Sequence, residues 1–150
     1  MTTIAYDHKA QQIAVDGRVS VDFTILTDKY KKWRYDGADL WFFCGSTSDN
    51  QWFIDIHKSG KAVEGDIHPD CGALLVRDGK VYAAGIQNDG LPFLCESNFN
   101  RAIGSGEQWA IAAMDFGKTA CDAVNYAATK NTHTGPCVAV YDIQDARFLP

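Results

Sequence analysis

Apolar and polar positions along the chain follow the two-residue period of strands first, then a helical period, then strands again, and finally two helical stretches before a closing strand. Residues 3–7 and 12–15 are apolar runs split by His8-Lys9-Ala10-Gln11, which predicts a hairpin. Asp16-Gly17 is a turn signal that ends the second run. Val19, Val21, Phe23 and Ile25 alternate with polar neighbours, which predicts one half-buried strand over 19–26. Residues 29–34 continue as a further strand or its connector, and Asp36-Gly37 predicts a hairpin turn. Leu40-Trp41-Phe42-Phe43-Cys44 is unbroken apolar, the pattern of a strand covered on both faces, and it ends at Gly45-Ser46.

Trp52, Phe53 and Ile56 fall at helical spacing, so a helix is predicted over about 48–58, with Ser46 or Thr47 as its cap. Residues 59–69 carry two glycines and a proline and predict a loop. Short strands follow at 73–76, 81–86 and 92–95, divided by Asp78-Gly79 and Asn88-Asp89-Gly90. Gly104-Ser105-Gly106 leads into an Ala-rich helix over 108–116 that Gly117 stops. Thr119 caps a second helix whose Ala120, Ala123, Val124 and Ala127 form an apolar stripe. A loop at 131–135 and an alternating strand at 137–143 close the chain. Two packed sheets with helices on both outer sides satisfy this order. No repeat or linker interrupts it, so residues 1–150 are predicted to form one domain.

Composition narrows the function classes. An apolar content of 46% with 22% charged residues is that of a globular protein with a real core. The net charge of −5 argues against nucleic acid, and the one basic cluster, Lys29-Tyr30-Lys31-Lys32-Trp33-Arg34, is short. No apolar run approaches a membrane span, and no basic-then-apolar leader precedes the first strand. Cys44, Cys71, Cys95, Cys121 and Cys137 are odd in number and widely spaced, which predicts reduced thiols in a cytoplasmic protein. His68 and Cys71 lie close, but nothing supplies the two further ligands a zinc site needs.

The candidate chemistry starts at Thr2. It is small enough for Met1 to be removed ahead of it, leaving a hydroxyl nucleophile beside a free α-amine. Such an amine titrates near pH 7.7–8 and can act as the base for covalent acyl transfer. Asp16 follows the strand that pairs with the first, and Lys32 lies in a candidate neighbouring strand. A lysine beside the amine would depress its pKa by like-charge repulsion, and an aspartate would hold the lysine. Gly45, at the end of the buried strand, could aim a backbone N–H at a developing oxyanion. Ser105 sits between two glycines at a helix start.

These residues resemble a known family. Thr2-Thr3-Ile4, Ala14-Val15-Asp16-Gly17-Arg18, Tyr30-Lys31-Lys32-Trp33, Cys44-Gly45 and Ala102-Ile103-Gly104-Ser105-Gly106 stand in the order and spacing of proteasome β subunits and the HslV peptidases. The resemblance implies an α+β fold, the four-layer αββα sandwich of the N-terminal nucleophile hydrolases. It implies a threonine-type peptidase, self-compartmentalised in a homo-oligomeric ring or double ring and acting on peptides or unfolded proteins. Thr2 would be the nucleophile. Asp16 and Lys32 would orient and tune it, Gly45 would supply the oxyanion-hole amide, and Ser105, Asn131 and Thr134 would complete the network. No cofactor is required; the one ion the family suggests is a monovalent cation such as Na+ near Ala128, Asn131 and Thr134. Val19, Tyr30 and Cys44 would line an apolar specificity pocket.

The chain also departs from the pattern. Asn131 stands where the family often has Asp. The interval between Gly45 and Ser105 holds one helix where the family has two, which puts the usual ATPase unfoldase partner in question. These departures keep two alternatives open: an inactive shell or scaffold protein of the same fold, and an amidohydrolase of a small metabolite.

Overall fold

The computed structural model describes residues 2–150. Strands β1 (Thr3–Asp7) and β2 (Gln12–Asp16) form the first hairpin as predicted. The next pattern is where expectation and structure part. Residues 19–26 are two strands, β3 (Val19–Val21) and β4 (Thr24–Thr27), folded on each other around Asp22, whose φ is 54°. A two-residue turn preserves the alternation of the strands it joins, so a hairpin carries the same period as one longer strand. Residues 28–32 lie outside any strand, and β5 (Trp33–Asp36) begins only at Trp33. Two backbone bonds pin that connector: Tyr30 N–H donates to the Gly17 carbonyl and Phe43 N–H to the Lys32 carbonyl, both at 2.9 Å.

Strand β6 (Asp39–Gly45) is covered on both faces, as its unbroken apolar run demands. A short 3-10 turn (Thr47–Asp49) precedes α1 (Asn50–Ser59), which Gly60 closes. No second helix lies between α1 and β7 (Cys71–Arg77). Strands β8 (Lys80–Ile86) and β9 (Pro92–Glu96) complete a sheet ordered β5-β6-β7-β8-β9. Strand β10 (Arg101–Gly104) leaves no local pattern in the sequence, because its signal is a long-range pairing: Thr3 lies opposite Gly104 and Ala5 opposite Ala102. Helices α2 (Glu107–Asp115) and α3 (Ala120–Lys130) follow. Asp122 N–H donates to Thr119 Oγ1 at 3.1 Å, the predicted cap. The chain ends with β11 (Cys137–Asp142) and a short β12 (Arg147–Phe148), giving a second sheet ordered β10-β1-β2-β11-β12.

Three apolar clusters hold these parts together. Ile4, Ile13, Val15 and Tyr141 from one sheet meet Leu40, Phe42, Leu74 and Val81 from the other. On the outer side of the first sheet, Ala5, Ala14 and Ala102 pack against Ala110, Ala123, Val124 and Ala127 of α2 and α3. On the outer side of the other, Trp41, Phe43 and Leu75 pack against Phe53 and Ile54 of α1. Alanines on both sides of the α2–α3 contact let those helices lie close to the sheet. The fold is therefore a mixed α/β arrangement of two facing sheets with helices outside. No described helix is long and apolar enough to cross a membrane.

Candidate active site

The ends of β1, β2, β6 and β10 meet the loop after α3, and the predicted site residues gather there. Asp16 is fully buried at the end of β2 and is the hub. Its Oδ1 accepts from Thr3 N–H at 2.9 Å and from the Lys32 ammonium at 3.1 Å. Its Oδ2 accepts from Arg18 N–H at 3.1 Å and from Gly135 N–H at 2.8 Å. Four N–H donors on one buried carboxylate explain how the charge is tolerated. One carboxylate thus ties the first strand, the Lys32 connector and the loop after α3 together. Burial lowers the pKa of Lys32, and the attraction of Asp16 opposes that lowering without cancelling it.

A second network lies on the other side of Thr2. Ser105 Oγ is 3.4 Å from the Thr2 carbonyl and 3.0 Å from Asn131 Oδ1, and its single proton is shared between these two acceptors. Asn131 Oδ1 also accepts from Thr134 Oγ1 at 3.2 Å and from His133 N–H at 3.0 Å. Because Thr134 spends its proton on Asn131, the 2.7 Å contact between Thr3 Oγ1 and Thr134 Oγ1 is donated by Thr3. Asn131 Nδ2 returns a bond of 3.3 Å to the Ser105 carbonyl, which an aspartate could not make. The residue that departs from the family pattern is thus fully used by its surroundings.

Gly104, at the end of β10, has φ of +101°, and a Cβ there would run into the Thr2 carbonyl. Gly45 has φ of +96°, and a Cβ there would come 2.5 Å from the Asp70 carbonyl oxygen. Both positions require glycine, on conformation and on space.

A cavity of about 230 Å³ opens beside Thr2. Lys32, Tyr30, Val19, Gly45 and Phe43 are among its walls. Cys44 is not, which corrects the expected specificity residues. It takes the opposite face of β6, packs against the core between the sheets, and its thiol pKa is raised by burial. The apolar side chain that replaces it at the cavity is Phe43. The structure therefore brings Thr2, Asp16, Lys32, Gly45, Ser105, Asn131 and Thr134 into one region, joined by Thr3 and Gly135. Gly135 acts through its backbone N–H and Thr3 through both its N–H and its hydroxyl; the backbone donors leave no mark in a pattern of side chains. No cluster of three or more His, Cys, Asp or Glu suited to a metal ion occurs among the described residues.

The two facing sheets with helices outside have the HslV-type fold. HslV from Trypanosoma brucei matches with a TM-score of 0.68 at 18% identity, over 92% of this chain and 97% of that one. BPH from Thiobacillus denitrificans matches with a TM-score of 0.69 at 16% identity, over 94% and 98%. The same protein in complex with epoxomicin gives 0.67 at 15% identity, over 94% and 98%. The likeness is one of fold. No family model and no curated protein matches the sequence.

Proposed function

We propose that this chain is a threonine-type peptidase built as a four-layer αββα sandwich of the N-terminal nucleophile type. The observation that carries this reading is the buried Asp16, which fastens both the Thr3 N–H and the Lys32 ammonium beside Thr2 at the mouth of a cavity. Once Met1 is removed, the Thr2 amine takes the proton of its own hydroxyl as Oγ1 attacks a peptide carbonyl. The Lys32 ammonium next to that amine favours the amine's neutral, basic form. The Gly45 amide receives the oxyanion of the tetrahedral intermediate. The intermediate collapses to a Thr2 ester and expels the amine half of the substrate, which leaves with the proton. Water, deprotonated by the same α-amine, then hydrolyses the ester and frees the acid half. Ser105, Asn131 and Thr134 are positioning residues, holding the Thr2 carbonyl and the Thr3 hydroxyl.

A monovalent cation, if bound, would lie near Ala128, Asn131 and Thr134, where the Asn131 carbonyl keeps a second lone pair beside the bond it accepts from Thr134 N–H at 3.2 Å. No step is assigned to a cation.

The ring assembly is supported by apolar side chains left uncovered in the single chain, including Phe23 and Leu26 on the β3–β4 hairpin and Phe116 after α2. The single helix between β6 and β7 leaves the ATPase partner without a counterpart to its usual docking pair. In the decisive experiment, the purified protein lacks Met1 by intact mass, hydrolyses unfolded polypeptide, and is labelled at Thr2 by epoxomicin. Thr2→Ala abolishes both hydrolysis and labelling while keeping the wild-type circular dichroism. Retained turnover in Thr2→Ala sinks the assignment. A retained Met1 in the native protein favours the scaffold alternative.

A further inference from the structure

Tyr30 and Lys32 both line the Thr2 cavity, and Arg34 follows two residues on, in β5. It sits opposite Trp41 across the β5–β6 pair, on the face that α1 covers. Its guanidinium carbon lies 5.9 Å from the centre of the Phe43 ring, and Phe43 is itself a cavity wall. Arg34 Nε and Nη2 are buried with no hydrogen-bond partner among the described residues. The same is true of Oδ1 of Asn50, which, unlike Arg34, is itself part of the cavity wall. The cationic wall residues, in contrast, have acids of their own: Lys32 lies 3.1 Å from Asp16, and Arg18 lies 2.8 Å from Asp28. No Asp or Glu lines the cavity. A guanidinium keeps its charge, and its planar fork is shaped to grip a carboxylate with two parallel bonds. Arg34 as a whole is part-buried, but two of its N–H groups are enclosed with no acceptor among the described residues, which leaves its fork incompletely paired.

We propose that the cavity selects an acidic side chain on the residue whose carbonyl Thr2 attacks, and that Arg34 determines this specificity. The proposal rests on the peptidase reading above. The substrate carboxylate completes Arg34, and the Asn50 carboxamide, turned about its terminal bond, donates to the same group. This replaces the apolar preference expected from Val19 and Tyr30.

The test uses the processed protein and a series of fluorogenic peptides, Ala-Ala-X-aminocoumarin, with X as Glu, Gln, Leu or Lys. The expected kcat/KM for Glu exceeds that for Leu by about tenfold or more, and Arg34→Met removes that margin. Arg34→Lys, which keeps a charge but not the fork, retains part of it. Arg34→Met is expected to unfold near the wild-type Tm, since it keeps the packing on Phe43 and removes two enclosed N–H groups that lack acceptors. A wild-type preference for Leu or Lys overturns the proposal, as does a Glu preference untouched by Arg34→Met. Binding of the same peptides to the Thr2→Ala protein, read by fluorescence anisotropy, separates the two claims. Arg34-dependent binding of the Glu peptide without wild-type turnover sinks the peptidase reading alone. Turnover without Glu preference sinks the specificity alone, and neither binding nor turnover sinks both.

Discussion

Asp16 shows how a single buried charge can organise a site. Every donor it accepts comes from a different part of the chain: the first strand, the Arg18 backbone, the Lys32 connector and the loop after α3. Both carboxylate oxygens are committed to N–H groups, so an amide cannot replace the acid without turning its own NH2 toward a donor. Asp16→Asn is therefore expected to destabilise the protein by about 3–5 kcal/mol, because it leaves the Lys32 ammonium buried without its counter-charge. For a chain of this length that is a fall in Tm on the order of 10 °C, measurable by calorimetry. A Tm within a degree or two of wild type would show that the Asp16 charge is not what holds these segments. Asn131 makes the complementary point. It replaces a charge by a group that both accepts and donates, and its neighbours Ser105, Thr134 and His133 use both capacities.

At the scale of elements, short β10 does more for the site than its four residues suggest. Its pairing with β1 sets Gly104 against the Thr2 carbonyl and delivers Ser105 to the same oxygen. Gly104→Ala is expected to cost at least about 1–2 kcal/mol from the left-handed backbone alone, before the contact with Thr2 is counted. The displaced Thr2 carbonyl should also slow labelling of Thr2 by epoxomicin relative to unfolding-corrected wild type. Unchanged stability and labelling would mean that β10 can slide away from β1 freely. Helix α3 contributes at both ends. Its Thr119 cap fixes where the helix begins, and Asn131 at its far end opens the loop that reaches back to Asp16 through Gly135.

The whole molecule leaves part of its apolar surface unused. The β3–β4 hairpin presents Val21 at 56%, Phe23 at 102%, Ile25 at 51% and Leu26 at 60% exposure, so its alternating pattern points to water in the single chain. A contiguous exposed group of this kind marks an interaction surface. In the proposed ring it is covered by a neighbouring copy. Light scattering is expected to give a mass several times that of one chain, and Phe23→Ser to shift the population toward smaller species. A wild-type mass equal to that of one chain would count against compartmentalised proteolysis.

Neighbours along the chain set the local grammar. The β1–β2 hairpin, the doubly covered β6, a single helix after it, the Thr119-capped helix and the Asp-Gly turns follow from residues close to one another in the chain, where period, caps and left-handed turn positions act. The resemblance carried by Thr2, Asp16, Lys32, Gly45 and Ser105 pointed to an HslV-type fold, and the chain has that fold. The tertiary structure decided what depends on distant partners. It split residues 19–26 into a hairpin, because the turn keeps the same alternation. It made β10 a strand, since only β1 supplies its bonds. It turned Cys44 inward and Phe43 toward the cavity, because β6 buries both of its faces and its pattern is silent on which side is which. It also brought the Gly135 amide to Asp16 and left Nε and Nη2 of Arg34 without an acceptor among the described residues. Backbone donors and missing partners leave no trace in a row of side chains; they exist only once the chain has folded.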